Sequence, residues 1–154
     1  MPLTVAAINA VHDWFHRGAA APTLPANWYY TLLSAVPTTG LPNGTEITTG
    51  GVARVSRARN TTLWSGTQGA GSTAASSGTT TPGIVQNNDQ VEFVASASAA
   101  VANAVAIGLF DAASAGNCWE WIYIKDSGGN PVSRSWASGD QVAVAADAAQ
   151  WRLS

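Results

Sequence analysis

Charge is what this chain has least of. Aspartate, glutamate, lysine and arginine make up 10% of its 154 residues, against about 25% in an ordinary soluble domain. Lys125 is the single lysine, the six arginines are scattered, and the net charge is −2. No basic face can form from that set, which argues against nucleic-acid binding. Cysteine is nearly absent too. Cys118 stands alone, so no intrachain disulfide is possible and folding in a reducing compartment is compatible with the sequence. The opening Met1-Pro2-Leu3-Thr4 places no basic region ahead of an apolar stretch, unlike a secretory leader. The uncharged run Phe93–Phe110 is interrupted by Ser96, Ser98 and Asn103. A membrane-spanning helix needs ~20 predominantly apolar residues, so the run reads as strand, small-residue loop and strand, and no membrane partner is expected. So little charge leaves little to cover a free surface: either part of that surface is occupied by neighbouring molecules, or the chain lies in a Ser/Thr/Ala-rich composition class.

Alanine and tryptophan are what the chain has in quantity. Of the 46% hydrophobic residues, 29 are alanines, so large aliphatic side chains are scarce. Seven tryptophans compensate, each able to bury roughly 150–250 Å². A chain of this length fits one domain with a real core, or one domain with a short appendage.

The pattern of apolar residues divides the chain in two. From Leu3 to Arg17, Val5, Ile8, Val11, Trp14 and Phe15 recur at spacings of three and four, Thr4 can cap the start, and Gly18 stops it; this is an amphipathic helix. An Ala/Pro linker, Ala19–Pro25, follows. Residues 1–25 are therefore expected to be a helical arm with its linker, packed on the rest of the chain or on a neighbouring subunit, and residues 26–154 a β domain. Strands are expected at Trp28–Val36, Val52–Arg59, around Val91-Glu92-Phe93, and at Ala104–Phe110, which is apolar on both faces as a central strand would be. Cys118–Lys125 alternates most clearly, with Trp119, Trp121 and Tyr123 on one face and Cys118, Glu120, Ile122 and Ile124 on the other. Ser127-Gly128-Gly129-Asn130 is expected to turn it into a hairpin with Pro131–Trp136, before closing strands at Gln141–Ala145 and Gln150–Leu153. Ser65–Pro82 is almost wholly Gly, Ser, Thr and Ala and reads as a long loop. The fold class is mainly β: a single β-sandwich or partly closed barrel with an N-terminal helical arm.

Signatures of catalysis are few, and each has a plainer reading. His12-Asp13-Trp14-Phe15-His16 puts two imidazoles on one helical face, as in the His-Glu-x-x-His zinc motif. Asp is one methylene shorter than Glu and no third ligand follows, whereas a catalytic zinc needs three. Asp126-Ser127-Gly128 matches a short aspartic-protease signature but sits inside Asp-Ser-Gly-Gly-Asn-Pro, a turn for local reasons. No nucleophile elbow, phosphate-binding loop or Cys-x-x-Cys pair occurs. The sequence therefore predicts no enzyme, no cofactor and no metal site. Trp119, Trp121 and Tyr123 could form a platform for sugar rings, but a domain short of large aliphatics would bury them. Arg54, among apolar neighbours, is expected to be partly buried in a structural ion pair with Glu46 or Asp111, because an unpaired buried charge is costly.

Several blocks together resemble a family of small phage virion proteins labelled as tail-fibre or minor structural proteins. They are Tyr29–Leu33; Gly44-Thr45-Glu46 with Gly50-Gly51-Val52-Ala53-Arg54-Val55; and Ile107-Gly108-Leu109-Phe110-Asp111-Ala112-Ala113 with Gly116-Asn117 and Trp121. Gly139-Asp140-Gln141-Val142 through Leu153 is similar in style, and the resemblance covers about residues 27–154. The arm at 3–17 and the loop at 65–82 fall outside its shared blocks. The resemblance implies a virion structural protein assembled in the host cytoplasm, either a capsid cement or decoration subunit or a tail-associated one. Its partners would be other virion proteins and copies of itself. The contacts to them are expected from the arm, through Val5, Ile8, Trp14 and Phe15, and from the loop at 65–82, because a short amphipathic helix is marginal alone and its apolar stripe needs a surface to cover. The alternative it leaves open is a tail-tip module that recognises a receptor or a host-surface glycan.

Overall fold

A computed structural model describes residues 3–66, 71–72 and 84–152. Helix α1 (Val5–Arg17) comes first, then β1 (Asn27–Ala35), β2 (Thr45–Glu46), β3 (Val55–Ala58) and β4 (Trp64–Ser65). Next are β5 (Ile84–Asn87), β6 (Val91–Val94), β7 (Val101–Ala104) and β8 (Ala106–Phe110). The chain ends with β9 (Cys118–Tyr123), β10 (Arg134–Trp136), β11 (Val142–Val144) and β12 (Gln150–Arg152).

The long strand β1 organises the molecule. It pairs antiparallel with β8 over Tyr29–Leu33, and β8 pairs in turn with β9. The other edge of β1 is shared: β3 pairs with Asn27–Tyr30, and β2 with Leu33 and Ala35. Three smaller sheets, β7 with β10, β6 with β11, and β4–β5–β12, accompany this five-stranded one. Among the described residues none of the sheets closes into a barrel, and the arrangement is a mainly β fold of sandwich type with an N-terminal helix. Among the described residues no helix is long and apolar enough to cross a membrane.

The two-residue period of β1 explains why the central sheet has a core on each side. Tyr30 and Leu32, with Ile107 and Leu109 across the ladder, join Val91, Phe93, Val101, Val142 and Trp151 from the smaller sheets in one large cluster. Full burial of side chains of this size contributes about 1.5–3 kcal/mol each. Leu33, with Ala106, Phe110, Cys118 and Trp121, forms a second cluster. Gly108 stands between them in β8. A Cβ there would meet Leu33 Cδ1 and Phe110 Cε2 at 3.1 Å, so the missing side chain is what lets those two residues close over the strand.

The structure revises the expected elements in several places. Ala104–Phe110 is not one strand: Val105 separates β7 from β8, and β8 alone is buried throughout as the strand between β1 and β9. Asn103, inside β7, has a φ of 58° where the register of β7 with β10 shifts between Val101 and Ala104. The expected hairpin reduces to a single bridge, Lys125 with Pro131, and a bond from Val132 N to Ile124 O. Pro131 has no N–H to extend a ladder, and β10 pairs with β7 instead. The strand expected at Val52–Arg59 is confined to Val55–Ala58, preceded by a 3-10 turn at Thr49–Gly51. Ser65, placed by its composition in the long loop, is a buried residue of β4; most of the remaining loop lies outside the described residues.

Candidate functional site

Two features stand out from the β core, and the first is the arm. Thr4 docks it. Its Oγ1 accepts from Ala7 N at 3.4 Å, closing the helix N-terminus, and donates to Cys118 O at 2.5 Å. Thr4 N donates to Trp119 O at 3.0 Å, and Leu3 bridges Glu120. The residues before the helix thus add a short rung to the outer edge of β9, and Ala7 in the next turn is buried against the domain. At the far end Gly18 takes a left-handed conformation (φ 69°), its N–H turned to Asp13 O. Between these ends the apolar stripe is only half used. At 100° per residue, Phe15, Ile8 and Val5 lie roughly 80–160° around the axis from Ala7, and they are 72%, 39% and 48% exposed. Trp14 is nearly in line with Ala7 yet 46% exposed, two turns further from the anchored end. Its ring meets that of Phe15 edge-on at 5.6 Å.

His12 and His16 sit on the exposed side of this helix with rings 5.4 Å apart. Among the described residues no group of three or more His, Cys, Asp or Glu is placed to hold a metal ion. Asp126 caps its own turn: its Oδ1 accepts from Gly128 N and Asn130 N, both at 2.9 Å. Those backbone donors, that of Asn130 above all, hold its carboxyl below the usual range.

The second feature is built around Arg54. Its guanidinium forms a two-pronged pair with Glu46, Nε to Oε2 at 2.8 Å and Nη2 to Oε1 at 2.5 Å, the strongest geometry for such a pair. Nη1 donates to the carbonyls of Ala112 at 2.5 Å and Ala115 at 2.7 Å. The guanidinium carbon lies 3.9 Å from the centre of the Phe110 ring, so the cation also meets a π face. The Arg54 side chain is 9% exposed and that of Glu46 28%. Thr31 Oγ1 adds a bond to Glu46 at 3.2 Å. The hydrogen bond from Arg54 holds the Glu46 carboxyl below its ordinary value, against the opposing effect of burial.

Asp111 is not a partner of Arg54. Its carboxylate accepts from Asn117 N at 2.8 Å and from Trp119 Nε1 at 3.0 Å, closing the loop that Arg54 holds from inside. Asn43 completes the arrangement. It donates to Gly116 O at 3.0 Å and accepts from Cys118 N at 2.9 Å. In sequence Asn43 reads only as part of a turn, and nothing local marks it as a tie to a loop over seventy residues away. Ala115, inside that loop, takes a φ of 52°, costly for a residue with a Cβ and held by its carbonyl bond to Arg54.

The aromatic strand also departs from simple alternation. Register shifts between Leu109 and Phe110, so that Phe110 faces Cys118 and Trp119 is the extra residue of a bulge. Cys118 and Trp121 therefore share the Phe110 cluster, while Trp119 packs on Trp28 at 5.9 Å. Trp121 is 6% exposed and its ring meets the half-exposed Tyr123 edge-on at 4.8 Å. The three aromatics do not form one flat platform. Burial pushes the Cys118 thiol up to about 12 and raises the Glu120 carboxyl, so Cys118 is a poor nucleophile at neutral pH.

The family described as Podophage GP4 fiber I protein gp80 matches residues 2–152. The chain belongs to that family. No curated protein matches it significantly. As a member of a phage fibre family it is a structural, tail-associated component of a virion. The match starts ahead of α1 and continues beyond residue 82. The helical arm, which lay outside the blocks carrying the sequence resemblance, is thus within the family's matched length and is not an addition to it.

Proposed function

We propose that this fibre-family protein is a non-enzymatic building block of the phage tail, whose β domain (residues 26–154) is joined to other virion subunits through the arm and linker of residues 1–25. The observation that carries the reading is the arm itself: a capped helix fastened at one end, with Phe15 72% and Trp14 46% exposed. Large aromatics are the residues that anchor protein interfaces, and a 13-residue helix is marginal unless its apolar face is covered. Val5, Ile8, Trp14 and Phe15 are the contacts assigned to a partner, either another virion protein or a further copy of this chain. Membership of a fibre family favours the tail over a capsid cement or decoration position. A catalytic role finds little support. The paired histidines offer two ligands, Asp126 is engaged in its own turn, and Cys118 is buried. The glycan-binding alternative has less support, since Trp119 packs on Trp28 while Trp121 is buried in the cluster around Phe110.

The test is deletion of residues 1–20. We expect a soluble β domain that melts cooperatively and no longer enters particles assembled in the host cytoplasm, or enters them weakly. Full incorporation of the truncated chain would overturn the role given to the arm.

A further inference from the structure

Four buried polar atoms near Tyr30 find no hydrogen-bonding partner among the described residues: Tyr30 Oη, Arg57 Nε, Asp89 Oδ1 and Trp151 Nε1. The fold brings their residues to one place. Across β1 and β3, Trp28 pairs with Arg57 and Tyr30 with Val55, so Tyr30 and Arg57 project from the same face of the central sheet. The Tyr30 ring stacks on Trp64 at 5.5 Å and meets Trp151 edge-on at 5.1 Å. Trp64 is itself satisfied, donating to Ala58 O at 2.9 Å, one residue beyond Arg57.

Arg57 and Asp89 form an ion pair by a single contact, Nη1 to Oδ2 at 3.3 Å, while Nη2 is used on Gln90 O at 2.5 Å. Such a pair leaves Arg57 Nε, which points away from Nη1, and Asp89 Oδ1 unengaged. Tyr30 is fully buried and its hydroxyl lies within the fields of both charges.

Sealed polar atoms without partners are rare in native proteins, and here the donors and acceptors complement one another. Two N–H groups need an acceptor, one carboxylate oxygen needs a donor, and a hydroxyl can serve as either. An anion would face Asp89 and a cation would face Arg57, which leaves a small neutral molecule carrying both lone pairs and O–H groups. We propose that Tyr30, Arg57, Asp89 and Trp151 form an internal water-binding site that ties β1, β3, the β5–β6 turn and β12 together through one or two bound waters. Bridging waters of this kind make about three hydrogen bonds each and are costly to remove.

Tyr30→Phe tests this because it deletes the hydroxyl and keeps the ring. A hydrated site predicts a fall in Tm of about 2–4 °C and the loss of one slowly exchanging water in relaxation-dispersion measurements. A hydroxyl merely buried without a partner predicts a Tm that is unchanged or higher, and either outcome overturns the proposal. Independently, a high-resolution crystal structure of the unaltered protein should show a density peak within about 3.2 Å of at least two of the four atoms. A site without such a peak overturns it as well.

Discussion

The loop from Asp111 to Asn117 and the helix from Val5 to Arg17 both stand out from the β core, yet they are held in opposite ways. The loop carries small side chains, Ala112-Ala113-Ser114-Ala115-Gly116, which cannot hold a shape by packing. Its backbone is fixed from beneath by Arg54, Asn43 and Asp111. The helix satisfies its own backbone and is docked through Thr4 at one end, while its large side chains stay in water. Ordering a residue costs about 1–2 kcal/mol in backbone entropy, and hydrogen bonds to a charged group contribute about 1.5–3 kcal/mol each. The protein sets a buried cation, Arg54, and two carboxylates, Glu46 and Asp111, where the chain has little else to hold it. It has left apolar area free where the helix already supplies the shape.

The sharpest way to break this contrast is at Arg54. Arg54→Ala removes the cation from Glu46, from two loop carbonyls and from the Phe110 face. Loss of one partner of a buried pair costs ~3–5 kcal/mol, and the lower end applies because Glu46 keeps some solvent contact. We expect Tm to fall by about 10 °C. Arg59 is exposed and, among the described residues, its side chain makes one bond, to Pro25 O at 3.2 Å, so Arg59→Ala should stay within about 0.5 kcal/mol of the parent. Equal melting temperatures for the two variants would show that the loop does not depend on its buried cation.

The same pair sets a pH dependence whose sign is fixed by the direction of the Glu46 shift. Its carboxyl titrates lower in the folded protein than its ordinary value of 4.5. The pair's stabilisation is therefore fully present above about pH 4.5 and is lost as pH falls from there through the depressed folded value. Thermal melts should show the parent protein losing Tm in that acid window more steeply than Glu46→Gln, which starts lower and stays flatter. Parallel curves for the two proteins would refute the assignment.

A smaller effect is expected at the hinge of the arm. Thr4→Val keeps the shape of the side chain but removes both the acceptor for Ala7 N and the donor to Cys118 O. Loss of an N-cap costs about 0.5–2 kcal/mol. That cost should fall on the arm, as faster proteolysis between residues 5 and 25, with little change in the melting of the β core. A core that melts several degrees lower would mean the arm is integral to the sandwich.

What could be read in the sequence was what depends on local pattern. The helix follows from the three-and-four spacing of Val5, Ile8, Val11 and Phe15, with Thr4 and Gly18 at its ends, and β1 and β9 from alternation and aromatic content. Pairing was not legible. That β10 leaves β9 for β7, and that Trp119 bulges out of register with Trp121, depend on which edges the rest of the fold leaves free. The strands β2 and β4 have two residues each, too few to show a period. At the candidate site, a partner for Arg54 was implied by the cost of burying it alone. The choice of Glu46 over Asp111 was not, because it rests on where the β8–β9 loop folds back and on Trp119 Nε1 claiming Asp111.

The smallest effect on stability is expected at Phe15, and it sharpens the comparison most. With 72% of its surface in water, Phe15 retains only a minor part of the burial energy of a core phenylalanine, about 0.5 kcal/mol. Phe15→Ser should therefore leave Tm within about 1–2 °C of the parent, well short of the change at Arg54. In the function proposed above, a partner covers this ring. The same substitution should then reduce incorporation into particles far more than it reduces stability. The informative comparison is with Thr4→Val. If Phe15→Ser exposes the arm to protease as strongly as Thr4→Val does, the ring is steadying the arm within its own chain. If the arm stays protected while incorporation falls, the ring acts between chains, as proposed.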